Sequence, residues 1–329
     1  MSKPVIAALC LSLFAHAALA QSEPPTAEAP PEQILVVGQK PGPGLWKVTK
    51  DDHVMWVFGT YAPLPKKMEW RSQQVENIIA QSQEMLTAPY AELGVGFLRS
   101  LTLLPFMIGM DKNPDGKTLH DLLPADTYER WLVLRKKYLK DDADYDRKRP
   151  FFVAGELTEK AAGAAGLSLG KDVRDKLLKL AKQNNVKITP VKLELPVDSP
   201  VKAVRDFKKS TLDDVACLAR TIDLLETDVS AYQARANAWA KGDIAGIRAL
   251  DFSEQDSACS HAVEESTVMK ERGLTDIDAR VRKYWLETAG KALAANRSTF
   301  AVLPIERIVG KDSYLAALEA QGYKVEQPE

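Results

Sequence analysis

The strand-forming runs of this 329-residue chain gather at its two ends, with helical periodicity between them. Near the N-terminal end, Leu45-Trp46-Lys47-Val48 and Val54-Met55-Trp56-Val57-Phe58 flank Lys50-Asp51-Asp52, polar residues suited to a hairpin turn. Towards the other end, Ser298 to Leu303 reads as a strand, Ser313 to Gln321 as a helix stopped by Gly322, and Tyr323 to Val325 as a last strand. Strands at both ends with helices between them imply that the ends share one sheet. The expected fold class is therefore α/β: a single mixed central sheet built from N- and C-terminal strands, with a large helical insertion. Segments 45–48, 54–59, 188–194, 298–303 and 323–325 are all expected in that sheet.

The insertion is placed at about 94–185 and 199–295 within an ordered domain of 44–329. Before it, residues 70–82 read as a helix and Met85-Leu86 as a short strand. Val173, Leu177, Leu180 and Ala181 fall at helical spacing on one face, and Val186 to Leu195 reads as one strand. Ser199 before Pro200, Ser210 with Asp213, and Thr275 are read as helix caps. Ile277, Val281, Trp285, Ala289 and Ala292 then line one face of the last long helix. Trp131, Trp239 and Trp285 are assigned to the core. No internal repeat of 20–50 residues stands out.

Composition narrows the class. Hydrophobic residues make up 45% and charged residues 27%, the mix of a globular protein. A mean hydropathy of -0.23 excludes a polytopic membrane protein. The net charge of -1 provides no field for nucleic acid, and no nucleic-acid partner is expected. Residues 1–20 read as a signal peptide: Lys3 is followed by the apolar run Val5 to Phe14, and Ala18-Leu19-Ala20 makes a small-x-small cleavage site. The apolar run is shorter than the ~20 residues of a spanning helix, so no transmembrane span is expected in the mature chain. Residues 21–43, with Pro24, Pro25, Pro30, Pro31, Pro41 and Pro43, read as a flexible tether. The implied location is periplasmic or secreted. In that compartment Cys217 and Cys259 are expected to form a disulfide, worth roughly 4 kcal/mol for a loop of this length. The alternative is a pair of buried free thiols.

A search for conventional active sites returns little. His53, His120 and His261 stand in no helix-borne zinc pattern, and there is no G-x-S-x-G, phosphate-loop or dinucleotide fingerprint. Asp213-Asp214 and Glu264-Glu265 read as solvated helix faces. The short basic clusters, such as Lys208-Lys209, read as surface.

One arrangement is more informative. Leu45-Trp46-Lys47-Val48 leads through a turn to Phe58-Gly59-Thr60-Tyr61-Ala62-Pro63, and Val302-Leu303-Pro304-Ile305-Glu306 precedes Gly310, a helix and Gly322-Tyr323-Lys324-Val325. This order over residues 44–326 resembles the TraB/GumN family, which includes PrgY and the animal Tiki proteases. The resemblance implies a Tiki/TraB-like, ChaN/EreA-like architecture. In the family an L-W-K/R strand leads to G-T-x-H, and a second G-x-x-H lies near the C-terminus; two histidines and acidic residues resemble a divalent-metal site for peptide hydrolysis. Here Gly59 and Thr60 match the first motif, but Ala62 takes the place of its histidine. Leu303 and Glu306 take the places of the second glycine and histidine. Ala88 stands where a carboxylate is expected, while Glu194, after Leu193, retains a family acid.

Loss of both imidazoles removes the strongest ligands of such a site. The resemblance thus implies a catalytically degenerate relative acting as a binding or accessory module in the cell envelope. Its partner is unknown, a peptide or an envelope protein being the candidates, and no cofactor is expected. The alternative is a metal-dependent peptidase or hydrolase with relocated ligands, Glu306, Glu194 and His53, holding a divalent cation weakly. Ala62 and Glu306 are expected near each other at one end of the sheet, on turns stiffened by Pro63 and Pro304.

Overall fold

The hairpin forms where the alternation predicts it. β1 (Leu45–Lys50) and β2 (His53–Thr60) run antiparallel with Lys50 opposite His53, and Asp51 takes the left-handed conformation (φ 54°) that the tight turn needs. A computed structural model describes residues 43–328 except 67, 228, 250–257, 260, 261 and 311. The proposed signal peptide, nearly all of the tether, and His261 lie outside the described residues.

After β2 come β3 (Leu64–Pro65), helix Gln73–Gln81, β4 (Glu84–Leu86) and β5 (Tyr90–Leu93). Helices of the insertion follow, then β6 (Leu167–Ser168), helix Lys171–Gln183, β7 (Lys187–Thr189) and β8 (Lys192–Leu195). A second run of helices ends in Ile277–Ala295. The chain closes with β9 (Ser298–Pro304), helices Glu306–Val309 and Tyr314–Ala320, and β10 (Lys324–Glu326).

The main sheet has the order β10-β1-β2-β9-β4-β7. β9 lies parallel to β2, Val54 opposite Ser298 through to Thr60 opposite Pro304, so the two ends of the chain do share the centre of one sheet. β4 continues parallel to β9 and β7 parallel to β4, while β10 closes the far edge antiparallel to β1. As a central parallel strand, β9 is covered on both faces: Thr299, Phe300, Ala301, Val302 and Leu303 are all buried. Val173, Leu177 and Ala181 of helix Lys171–Gln183 join this core, as do Val281's neighbours Trp285, Ala289 and Ala292 of helix Ile277–Ala295. Trp239 joins the same core, and Trp131 joins a second one. That second core packs helices Ala125–Tyr138, Pro150–Ala164 and Val215–Thr227 together around the Cys217–Cys259 disulfide.

Several local expectations need correction. Val186 to Leu195 is two strands, because Pro190 offers no N–H and interrupts the ladder; β7 stays in the main sheet, and β8 pairs instead with β5. The partner strand is interrupted alongside it at Ala88-Pro89, and the chain bridges the gap with Val191 N donating to Thr87 Oγ1 at 3.1 Å. Ser199 and Asp276, the residues preceding helices Pro200–Lys209 and Ile277–Ala295, adopt left-handed φ near 54° and make no side-chain cap; Thr275 donates to the Asp276 carboxylate instead. Ser210 closes the helix before it, donating to Phe207 O at 2.8 Å.

Asp214 is not on a solvated face. It is buried, and its carboxylate accepts from Phe151 N at 2.9 Å, capping the start of helix Pro150–Ala164 from a distant part of the chain. Beside that start, the buried guanidinium of Arg149 donates to Phe207 O and Lys208 O, the last carbonyls of helix Pro200–Lys209. Burial pushes the Asp214 carboxyl up and the Arg149 guanidinium down, and the charge of each partly offsets the shift of the other.

Candidate functional site

Four neighbouring parallel strands, β2, β9, β4 and β7, end on the same side of the sheet, at Thr60, Pro304, Leu86 and Thr189. Open α/β sheets bind ligands outside the carboxyl ends of such strands. A cleft of about 1040 Å³ opens there. Its floor is apolar, with Met85, Ile188 and Val302 from the strands and Leu177 and Leu178 from helix Lys171–Gln183. Ala62 and Glu306 both line it, so the structure brings the two motif positions to one site, and Ala88 lines it as well.

The backbone around these positions is fixed by specific contacts. Thr60 Oγ1 donates to Leu303 O at 3.2 Å, Ile305 N donates to Thr60 O at 2.8 Å, and Trp239 Nε1 donates to Gly59 O at 2.7 Å. A Cβ on Gly59 would lie 3.0 Å from the Trp46 ring and 3.2 Å from Ile305 Cγ1. This glycine therefore serves close packing under the cleft. Gly310 has a similar duty towards Glu306: its N–H donates to Glu306 O at 2.9 Å, and a Cβ there would stand 2.3 Å from that same oxygen. The one-turn helix Glu306–Val309 is thereby closed, with Glu306 held at the cleft wall.

Other residues singled out from the sequence lie elsewhere. Glu194 is on β8, where Lys192 Nζ sits 2.8 Å from both its carboxylate and that of Glu92; these two acids raise the lysine's proton affinity. Glu194 does not line the cleft. His53 opens β2 whereas Thr60 ends it, and seven residues of strand place them about 23 Å apart. His53 faces Asp52 at 3.4 Å. His120 stacks edge-on against Tyr128 in the insertion. The set Glu306, Glu194 and His53 is not brought together, which removes the geometric basis for that relocated metal site.

The cleft's donor set is a poor match for the divalent metal that the resemblance implies. It contains the Glu306 carboxylate, the hydroxyls of Thr60, Tyr61, Thr87 and Tyr90, and two basic groups, Arg174 and Lys182. A divalent cation needs several anionic or imidazole ligands at one point, and two cations on the wall oppose it. Among the described residues no group of three His, Cys, Asp or Glu side chains is placed to hold a metal ion. The residues do not fit the ion. They do fit an amphipathic molecule, with apolar parts on the floor and negative charge towards Arg174 and Lys182.

In the sequence, the buried stripe of helix Lys171–Gln183 dominates the pattern and hides these two cations. The signal was present: Arg174, Leu178 and Lys182 recur at i, i+4 and i+8, a second face beside the buried one. The exposed side chains of Arg174 and Lys182 edge the cleft whose floor Leu177 and Leu178 supply.

No curated protein and no solved structure matches the chain. A family model does, over residues 44–327, from the start of the first strand to just past the last. With the whole sheet and its cleft inside that match, the chain belongs to the TraB/PrgY/gumN family.

Proposed function

We propose that this chain is an exported member of its family that acts as a binding or accessory module in the cell envelope, without metal-dependent hydrolysis. The observation that carries the reading is the cleft at the carboxyl ends of the parallel strands. Ala62, Ala88 and Glu306, which the resemblance sets at the positions of the family's ligands, line it, with Arg174 and Lys182 on the same walls. A shaped apolar cavity persists as a binding site after its catalytic groups are gone. The cationic wall favours a peptide or protein segment carrying carboxylates beside apolar side chains. Export is supported by the basic start, apolar run and Ala18-Leu19-Ala20 of residues 1–20. The Cys217–Cys259 disulfide is in keeping with an oxidising compartment. No helix among the described residues is long and apolar enough to cross a membrane.

The test is metal analysis with a peptidase assay on the chain starting at Gln21, repeated on Ala62→His with Glu306→His. The expected result is no stoichiometric metal and no metal-stimulated hydrolysis for the wild type, with metal affinity gained in the double variant. Stoichiometric metal in the wild type, with an activity abolished by chelation, would overturn the proposal.

A further inference from the structure

Helix Phe97–Met107 presents an apolar stripe to solvent. Leu101 is 49% exposed, Leu104 58%, Met107 41% and the following Ile108 76%. Leu101, Leu104 and Ile108 recur at i, i+3 and i+7, while Leu103 is buried, so the helix has an inner and an outer face and both are apolar. From Leu101 to Met110 the chain carries no charged side chain. Contiguous exposed apolar residues on a folded protein mark a contact surface.

What borders the stripe identifies its occupant. Helix Pro200–Lys209 packs alongside and carries four basic residues, Lys202, Arg205, Lys208 and Lys209, against one acid, Asp206. Lys202, Arg205 and Lys209 are exposed at i, i+3 and i+7. The Arg205 guanidinium lies 5.2 Å from the Phe106 ring, and Lys208 Nζ donates to Ile108 O at 2.8 Å, so the cations meet the apolar helix along its flank and at its end. Asp206 is engaged by Lys202 and Arg272. An uncharged apolar ridge bordered by exposed cations is complementary to an anionic lipid surface, where acyl chains take the ridge and phosphates take the cations.

We propose that this face docks the protein on an anionic bilayer without spanning it. Leu101, Leu104, Met107 and Ile108 enter the boundary between headgroups and acyl chains, and Arg205, Lys208 and Lys209 meet lipid phosphates. The site is separate from the cleft, and the proposal does not depend on what the cleft binds.

The experiment is flotation of the chain starting at Gln21 with vesicles of phosphatidylcholine containing about one third phosphatidylglycerol, and with phosphatidylcholine alone. Starting at Gln21 leaves out the apolar run of residues 5–14, which would partition into vesicles by itself, so flotation reports on this face. Leu104→Gln with Ile108→Gln should lower partitioning onto the mixed vesicles by about tenfold. Arg205→Gln with Lys209→Gln should lower it by about tenfold on the mixed vesicles and leave neutral vesicles unchanged. All four side chains are exposed, so thermal midpoints should stay within about 2 °C of wild type and show that the variants fold. Wild type and both variants floating alike would overturn the proposal, as would a wild type that does not float. It would equally fail if the apolar variant converted a dimer to a monomer while leaving flotation unchanged, since a second copy would then be the occupant.

Discussion

Gly310→Ala is the sharpest test of how Glu306 is held at the cleft. The added methyl would sit 2.3 Å from Glu306 O, well inside contact distance, and the obstacle is backbone that no rotamer change can move aside. Relief requires opening the turn, which stretches the Gly310 N to Glu306 O bond from 2.9 Å. Overpacking of this kind costs about 1–3 kcal/mol, and the lost hydrogen bond about 1 kcal/mol. The sum, about 2–4 kcal/mol, corresponds to a fall in melting temperature of roughly 3–7 °C for a domain of this size. Gly322→Ala is the internal comparison: its φ of 86° penalises a side chain, but nothing lies within 4 Å of the new atom, so its cost is the left-handed conformation alone, about 1–2 kcal/mol. Differential scanning calorimetry of both variants gives the answer. A Gly310→Ala protein melting within about 1 °C of wild type, or above Gly322→Ala, would show that the Glu306 turn is not closed in the way described.

Two further outcomes follow from buried groups. Burial alone would raise the Glu84 carboxyl, but hydrogen bonds from Thr189, Lys187 and Asn296 outweigh it and hold the group below its ordinary value of 4.5. Its contribution to stability is therefore full above that value and lost as pH falls through the lowered one. Glu84→Gln should cost about 2 kcal/mol at neutral pH, with the difference from wild type shrinking in acid when urea titrations are compared; a pH-independent difference would contradict this. Reducing the Cys217–Cys259 bridge should lower stability by about 4 kcal/mol in urea titrations with and without reductant, and a denatured, unreduced sample should contain no free thiol from this pair.

Much of the architecture was legible because its signals are local. The alternation through Leu45 to Phe58 and the periodicity of Val281, Trp285, Ala289 and Ala292 are each set by which face a neighbouring layer covers, and the residues carry that pattern themselves. Interactions between distant segments were not legible. Asp214 reads as half of a solvated acidic pair until Phe151, 63 residues away, is brought to it. Pro190 could have warned of the break between β7 and β8, yet the apolar run around it dominated the pattern. Ser199 resembled an ordinary cap, but its left-handed backbone turns the side chain away from that use. At the site, Ala62 and Glu306 came to notice only through resemblance, since neither residue type signals chemistry at its position. Arg174 and Lys182 needed the helix to be placed over the strand ends before their charge had a meaning.

The pairing of β2 with β9 also sets a timetable. Thr60 and Leu303, hydrogen-bonded partners in the finished sheet, are 243 residues apart in the chain. At synthesis rates of about 5–20 residues per second, the first hairpin waits roughly 10–50 s for its neighbour to be made. Throughout that interval the edge of β2, with Met55, Val57 and Phe58, has no β9 to pair with. An open apolar edge of this kind recruits other chains as readily as its own. The nascent protein is thus most exposed to aggregation before its last thirty or so residues emerge, and most in need then of a factor that keeps extended chains apart.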